Sequence, residues 1–203
     1  MPLPNRVTPY GLPERHPARA CLLMGNRGTI HDARREIVRH HVGRRWIACA
    51  LAFRGRHREP MPPGRWTALF FLDEAVAFAA GHRPCKECRR DDHARFMAAW
   101  NRGVGPARLV DEVDRPLHAE RYARGKRLHV AGADDLPDGA FVELDGRACL
   151  LLGERAWGFA AGGYEASVAR PRGDVVLITP PSLVRVLAAG YGPLLHPSAA
   201  EAA

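Results

Sequence analysis

Two cysteines separated by two residues, Cys85 and Cys88 in the stretch GHRPCKECRR, are the side chains of this sequence best placed to do chemistry. A thiolate is a strong zinc ligand, and a two-residue gap lets both sulfurs of one turn reach a single tetrahedral ion. Pro84 fixes the backbone entering that turn, and a following helix would direct amide groups at the sulfurs. Both features lower the cost of holding two thiolates together. A redox dithiol and a pair of inert core thiols are the rival readings. The redox motif is expected directly after a strand at the head of a helix; here an Ala-rich segment and Gly81 intervene. The five cysteines (Cys21, Cys49, Cys85, Cys88, Cys149) form an odd, sparse set. That argues for reduced thiols and a cytoplasmic setting rather than a disulfide framework.

The elements that must position this site are short. ACLLMG at 20–25 is an apolar run ending in a turn, and TALFFL at 67–72 is a second strand. Between them, EIVRHHV (36–42) and RRWIACALAF (44–53) are rich in β-branched and aromatic residues, with Gly43 as a hairpin turn or bulge. Period-2 alternation puts Cys49 on the more apolar face, with Ile47, Leu51 and Phe53. Asp73 is a good N-cap for the helix EAVAFAA, with Gly81 as its C′ residue. Asp91 or Asp92 caps a second helix through HARFMAAWNR, and Asp114 opens a third with Pro116 in its first turn.

A composition change at GADDLPDG marks a boundary. It divides residues 1–132, a zinc-binding domain with a Pro-punctuated N-terminal arm and added helices, from a small β-rich subdomain over 133–203. In the latter, AFVELDGRACLLLGE reads as a hairpin turned at Asp145-Gly146. RAWGFAAGGY adds a strand, DVVLITP another, and SLVRVLAAGY a helix capped by Ser182 and stopped by Gly190. The expected class is α+β: small antiparallel sheets and short helices around a zinc knuckle, then a C-terminal hairpin and helix.

Of 203 residues, 46% are apolar and 26% charged, enough for a packed core. No run approaches a membrane span, and the N-terminus is read as no secretory leader. The formal charge of +8 is uneven. The arginines are concentrated in the first two thirds, and the last third is acidic. A basic front could meet a nucleic acid, although biased Arg, Ala, Gly and Pro usage accounts for part of it.

The segment LFFLDEAVAFAAGHRPCKECRRDD resembles the metal-binding domain of the Ada DNA-repair proteins, over about residues 44–92. That family has a similar Ala-rich helix, then Gly, Arg-Pro-Cys, two residues and Cys. The resemblance implies a four-cysteine zinc whose first pair, spaced Cys-x3-Cys, lies on an earlier strand and loop. It also implies that the first cysteine accepts a methyl group from a methylated DNA phosphate. The matching position here is Cys49, which makes it the expected third ligand and the alkyl acceptor. Where the family has its second cysteine, this chain has Phe53. A structural zinc wants four protein ligands, so another residue must close the site or water must occupy it. His31 or His118 is the expected fourth ligand, with His57 and Cys21 as further candidates. Each thiolate replaced by a neutral ligand also makes the remaining sulfurs less electron-rich.

Arginines flank these segments: Arg44, Arg45, Arg54 and Arg56 around the Cys49 strand, and Arg83, Arg89 and Arg90 around the knuckle. Gathered by a metal they would form a rim suited to phosphates. Three functions follow: a zinc module touching nucleic acid through that rim, an Ada-like phosphotriester repair protein, or a zinc hydrolase or nuclease with an open metal position aided by His31 or His118. Two further groups read more simply. MGNRGTIHD matches no phosphate-binding fingerprint, and His118, Glu120 and His129 suit a solvated helix. Neither substrate nor oligomeric state is legible.

Overall fold

A computed structural model describes residues 1–55, 59–121 and 128–199. It has two mostly antiparallel sheets and four short helices, so the α+β class holds. The first sheet contains β1 (Pro4–Val7), β2 (Pro13–Arg15), β3 (Leu23–Asn26), β4 (Ile47–Ala50), β5 (Leu69–Phe71) and β6 (Arg83–Pro84). Their spatial order is β2-β1-β5-β3-β4-β6. The proline-rich start is therefore not a free arm. It supplies two strands, and β1 runs parallel against β5.

Only the middle of the expected Cys49 strand forms. The run 36–42 makes one bridge, His31 to Ile37. The Asp32 carboxylate accepts the amides of Arg34 and Glu36 at 2.9 Å, and Arg35 adopts φ 63°, so a tight turn wins over β-propensity. Where β3 and β4 do pair, they come close. A Cβ on Gly25 would stand 2.1 Å from the Ile47 carbonyl oxygen, so only glycine fits there.

Helix α1 (Glu74–Ala79) starts as expected, with Asp73 accepting from the Val76 amide at 2.9 Å, and Gly81 follows it at φ 84°. Helix α2 (Arg90–Gly103) begins before the expected caps, so Asp91 and Asp92 lie in its first turn, where carboxylates favour the amide end. Helix α3 (Val110–Arg121) also starts early and carries Pro116 inside it. Its opening is secured instead by Glu112, which accepts the amides of Arg108 and Leu109.

The second sheet holds β7 (His129–Gly132), β8 (Phe141–Leu144), β9 (Arg147–Leu152), β10 (Arg155–Ala160), β11 (Gly163–Ala169) and β12 (Asp174–Leu177), in the order β11-β10-β9-β8-β12-β7. The β8–β9 turn has Asp145 at φ 47° and Gly146 at φ 74°, the left-handed pair a two-residue hairpin requires. Helix α4 (Pro181–Ala188) begins just ahead of Ser182, whose amide and hydroxyl donate to Glu120.

Neither hydrophobic core stays on one side of Gly132. One joins Phe78, Phe96, Trp100, Val113 and Leu117 to Val142, Leu151 and Leu183. The other joins Leu69, Phe71 and the Ala-rich face of α1 to Phe141, Leu150 and Trp157. Polar links run the same way. Tyr164 donates to Asp73 at 2.7 Å, and Tyr191 donates to Glu74 at 2.9 Å.

Beside the knuckle, Arg83 and Asp114 form a two-pronged pair at 2.8 and 2.7 Å, with both side chains almost fully buried. Removing one partner strands a charge in the interior. Asp114→Ala is therefore expected to lower unfolding free energy by about 3–5 kcal/mol. Urea denaturation measures it, and a loss below ~1 kcal/mol would mean that the pair does not hold β6.

Candidate metal centre

The strand β4 and the short strand β6 run side by side and parallel, pairing Ile47 with Arg83 and Ala48 with Pro84. The Arg83 amide donates to Trp46 O at 3.1 Å and the Cys85 amide to Ala48 O at 2.9 Å. This register carries Cys49 to the knuckle. The sulfurs of Cys49, Cys85 and Cys88 all lie within 4.8 Å of one another. Sulfurs around one tetrahedral zinc, each at about 2.3 Å, stand roughly 3.8 Å apart, so the cluster fits an ion of that size.

The knuckle is held from below. Arg89 donates its amide back to Cys85 O at 3.1 Å, and the buried His93 ring donates to Pro84 O at 3.2 Å. Amides also point at the sulfurs. Those of Glu87 and Cys88 favour the Cys85 thiolate, and the Ala50 amide donates to Cys88 Sγ at 3.4 Å. These donors come from the turn and from β4, not from the helix after the motif. The Cys49 thiol donates to the other two sulfurs. That bond holds Cys49's own proton far above the usual thiol range. The same bond, aided by the amides, brings Cys85 down to about 5 and lowers Cys88. The three thiols titrate as one coupled group, with the thiolate favoured at Cys85 and Cys88 over Cys49.

Cys49 does share the face of Ile47, as the alternation predicts, but that face is the open one. Trp46 and Ala48 are buried, whereas Ile47 and Cys49 are half-buried and Leu51 is exposed. The three sulfurs border a cleft of about 550 Å³, walled by Met24, Ile47, Phe53, Trp66 and Phe70. Phe53, the residue at the expected cysteine position, is one wall, with the Arg54 guanidinium 5.0 Å from its ring.

Neither expected fourth ligand joins the cluster. Thr67 O–H donates to His31 Nδ1 at 2.6 Å and His31 Nε2–H donates to Pro62 O at 3.1 Å, so both ring nitrogens are engaged elsewhere. His118 packs edge-on to His41 at 4.9 Å and near Trp46 at 6.1 Å. Cys21 lies on a neighbouring cleft. Among the described residues no other His, Cys, Asp or Glu completes the group, and His57 falls outside them.

The arginine rim is also reduced. Arg83 is spent on Asp114. Arg89 is buried and pairs with Glu74 at 2.8 Å and Asp92 at 2.7 Å. Arg44, Arg45, Arg54 and Arg90 remain exposed, and Arg56 lies outside the described residues. Arg27 of MGNRGTIHD is fully buried. It donates to Gly11 O at 2.8 Å and stacks on Trp46 at 4.7 Å, so its guanidinium is engaged inside the protein. His129 lies half-buried in β7, away from His118 in sequence, while Glu120 caps α4.

Sequence reasoning missed His93 and read Asp114 only as the opener of a helix, whereas Asp114 lies inside α3 and both residues fix the knuckle. No local pattern marks them, because their partners are distant in the chain or are main-chain groups. Comparison of the chain with protein-family models, with curated proteins and with solved structures finds no match to any of them. The Ada resemblance therefore rests on the residues of the knuckle segment alone, and a three-cysteine cluster does not identify that family.

His118 carries a pH prediction. Burial, together with Arg121 and His41, brings its imidazole down to about 4 from 6.5, and burial lowers His41 too. As pH falls below 6.5 the unfolded chain binds the proton first, so stability declines until about pH 4 and is complete above 6.5. Urea midpoints at about pH 7 and about pH 5 should differ less in His118→Gln than in the parent chain. Equal differences would show that His118 is not the group titrating.

Proposed function

We propose that this chain is a zinc-binding protein that contacts nucleic acid, with Cys49, Cys85 and Cys88 as the protein ligands and exposed arginines as the phosphate contacts. The observation that carries the metal is the convergence of three sulfurs from two distant segments within 4.8 Å. The amides of Glu87, Cys88 and Ala50 add to it, since they stabilise thiolates rather than thiols. A thiolate-only donor set favours zinc over harder ions. Bound there, zinc would tie β4 to the knuckle and offer one coordination position toward the cleft. The nucleic-acid part rests on the net charge of +8 and on Arg44, Arg45, Arg54 and Arg90, which stay exposed.

Elemental analysis of the purified chain is expected to find one zinc per molecule, lost in Cys49→Ser, Cys85→Ser and Cys88→Ser. Full zinc retention by Cys49→Ser would remove that residue from the ligand set. DNA mobility should shift in a salt-dependent way. Arg45→Ser with Arg90→Ser should reduce the salt slope by about one for each arginine that no longer meets a phosphate. A slope unchanged by both would remove the rim.

One observation favours an Ada-like repair reading as the second choice. Cys85 and Cys88 draw backbone amides, whereas the contacts that shift Cys49 are with its two neighbouring sulfurs. Amide donation withdraws electron density, so with all three sulfurs held as thiolates by a metal Cys49 would be the most electron-rich, and like the other two it borders the cleft. In that reading its thiolate attacks the methyl carbon of a phosphotriester, forming a thioether. The phosphate oxygen leaves with the bonding pair as a diester anion. Mass spectrometry after incubation with methyl-phosphotriester DNA should then find one methyl group on the Cys49 peptide. An unmodified peptide with intact zinc would reject the reading.

A further inference from the structure

The cleft beside the three sulfurs is not isolated. A second cleft, of about 640 Å³, is lined by Arg6, His16, Arg19, Cys21, Leu51 and Phe70 among others. Leu51 and Phe70 line both, so the two adjoin at these residues and make a groove with two ends. The chemistry changes along it. At the metal end the walls are Phe53, Trp66 and Phe70, three half-buried aromatic side chains, with Met24 and Ile47 beneath. At the other end Arg6, His16 and Arg19 face the groove with no acid among its lining residues. Among the described lining residues Glu87 is the one acidic residue, and it sits on the knuckle. The Arg6 guanidinium donates to Ala18 O at 2.9 Å and to Asn5 Oδ1 at 2.8 Å and lies 4.7 Å from the Phe70 ring centre, so it is fixed at the junction with its charge over one face of that ring.

We infer that this groove binds a single strand of DNA, its bases against the aromatic end and its phosphates along Arg6 and Arg19. The inference deepens the nucleic-acid reading above and rests on it. Sequence-tolerant single-strand binding needs two things: a cationic track for the backbone and ring faces on which unpaired bases stack. Both are present here in two adjoining clefts. In a duplex the bases are stacked on one another and offer no free face, so rings recessed in a groove have nothing to meet. Deoxyribose suits the walls better than ribose. Apart from the cysteines, Asn26, Glu87 and the Trp66 indole N–H are the polar side-chain groups among the described residues lining the metal end, and a 2′-hydroxyl set against the apolar remainder would lose its water without a partner. The reduced rim agrees with this assignment. Arg45 and Lys86 line a different depression, whose described lining residues include no Phe, Trp or Tyr.

Fluorescence anisotropy of the zinc-loaded chain tests the inference. The probes are a labelled oligodeoxythymidylate, the oligouridylate of equal length and a blunt mixed-sequence DNA duplex. The oligodeoxythymidylate is expected to bind roughly tenfold tighter than either of the others. Arg19→Ser, an exposed position, should weaken it several-fold, and Arg6→Ser with Arg19→Ser roughly tenfold. Phe70→Leu keeps an apolar side chain on the sheet but removes the stacking face, and should also weaken binding several-fold. Arg172→Ser, exposed on the second sheet, is expected to change nothing. Circular dichroism and zinc content confirm that each variant is folded. Tighter duplex binding that falls with Arg45→Ser and not with Arg19→Ser overturns the groove and leaves the nucleic-acid reading standing. Preference for oligouridylate overturns the assignment to DNA. No binding of any probe by a chain that holds its zinc overturns both the groove and the nucleic-acid reading.

Discussion

The site depends on a parallel pairing of two very short strands. β4 and β6 come from segments far apart in the chain, and only two residue pairs define their register. Parallel pairing without a long ladder is weak by itself. Here it is reinforced from the α3 side. Asp114 holds Arg83 through two hydrogen bonds in the interior, and Arg121 donates to the carbonyls of Gly81 and Arg44 while stacking 4.4 Å from the Trp46 ring. Breaking that arrangement would strand buried charge on two arginines, so the weak ladder inherits the cost of the ion pair. This frame sets the separation of Cys49 from Cys85.

A second set of buried acids connects the frame to the rest of the molecule. Asp73 and Glu74, at the head of α1, are both inaccessible to solvent, and burial lifts the Asp73 carboxyl to about 6. Asp73 accepts from Val76, Tyr164 and His196, and Glu74 accepts from Tyr191 and Leu194. Glu74 also pairs with Arg89, the residue after the last cysteine. One helix terminus thus fastens the knuckle, the second sheet and the C-terminal segment together. This explains why Arg89, basic and beside the metal ligands, is structural. A guanidinium between two carboxylates in the interior cannot also serve a phosphate.

The two faces of β4 show how amphipathic patterning can be read correctly and still mislead. Alternation separates Ile47 and Cys49 from Trp46 and Ala48, and the structure keeps that separation. The apolar-looking face is nevertheless the open one. The other side receives Trp46 between the guanidinium groups of Arg27 and Arg121, where a large aromatic ring offsets part of their desolvation. Arginine and histidine thus fill space that composition would assign to aliphatic residues, which leaves Met24, Ile47 and Phe70 to wall a cleft. Apolar side chains at the surface of a groove are a recognition feature, and periodicity does not distinguish them from core.

Several features were legible in the amino-acid sequence by itself, because their causes are local. The Cys-x-x-Cys turn, the Asp73 cap and Gly81 stop of α1, and the Asp145-Gly146 hairpin each depend on side chains within a few residues of one another. Capping, positive φ and short-range hydrogen bonds act over one turn of chain, so residue types report them directly. The α+β class followed from the mixture of such signals. What only the tertiary structure decided is long-range: which face of β4 is covered, that Arg83 and Arg89 are buried while Arg45 and Arg90 are not, and that His31 serves Thr67 and Pro62 instead of the sulfurs. Those outcomes depend on which segments pack together, and packing partners leave no spacing in the chain. Cys85 and Cys88 could be recognised from their two-residue gap. That Cys49 meets them was an expectation from resemblance, and it took the β4–β6 register to bring its sulfur there.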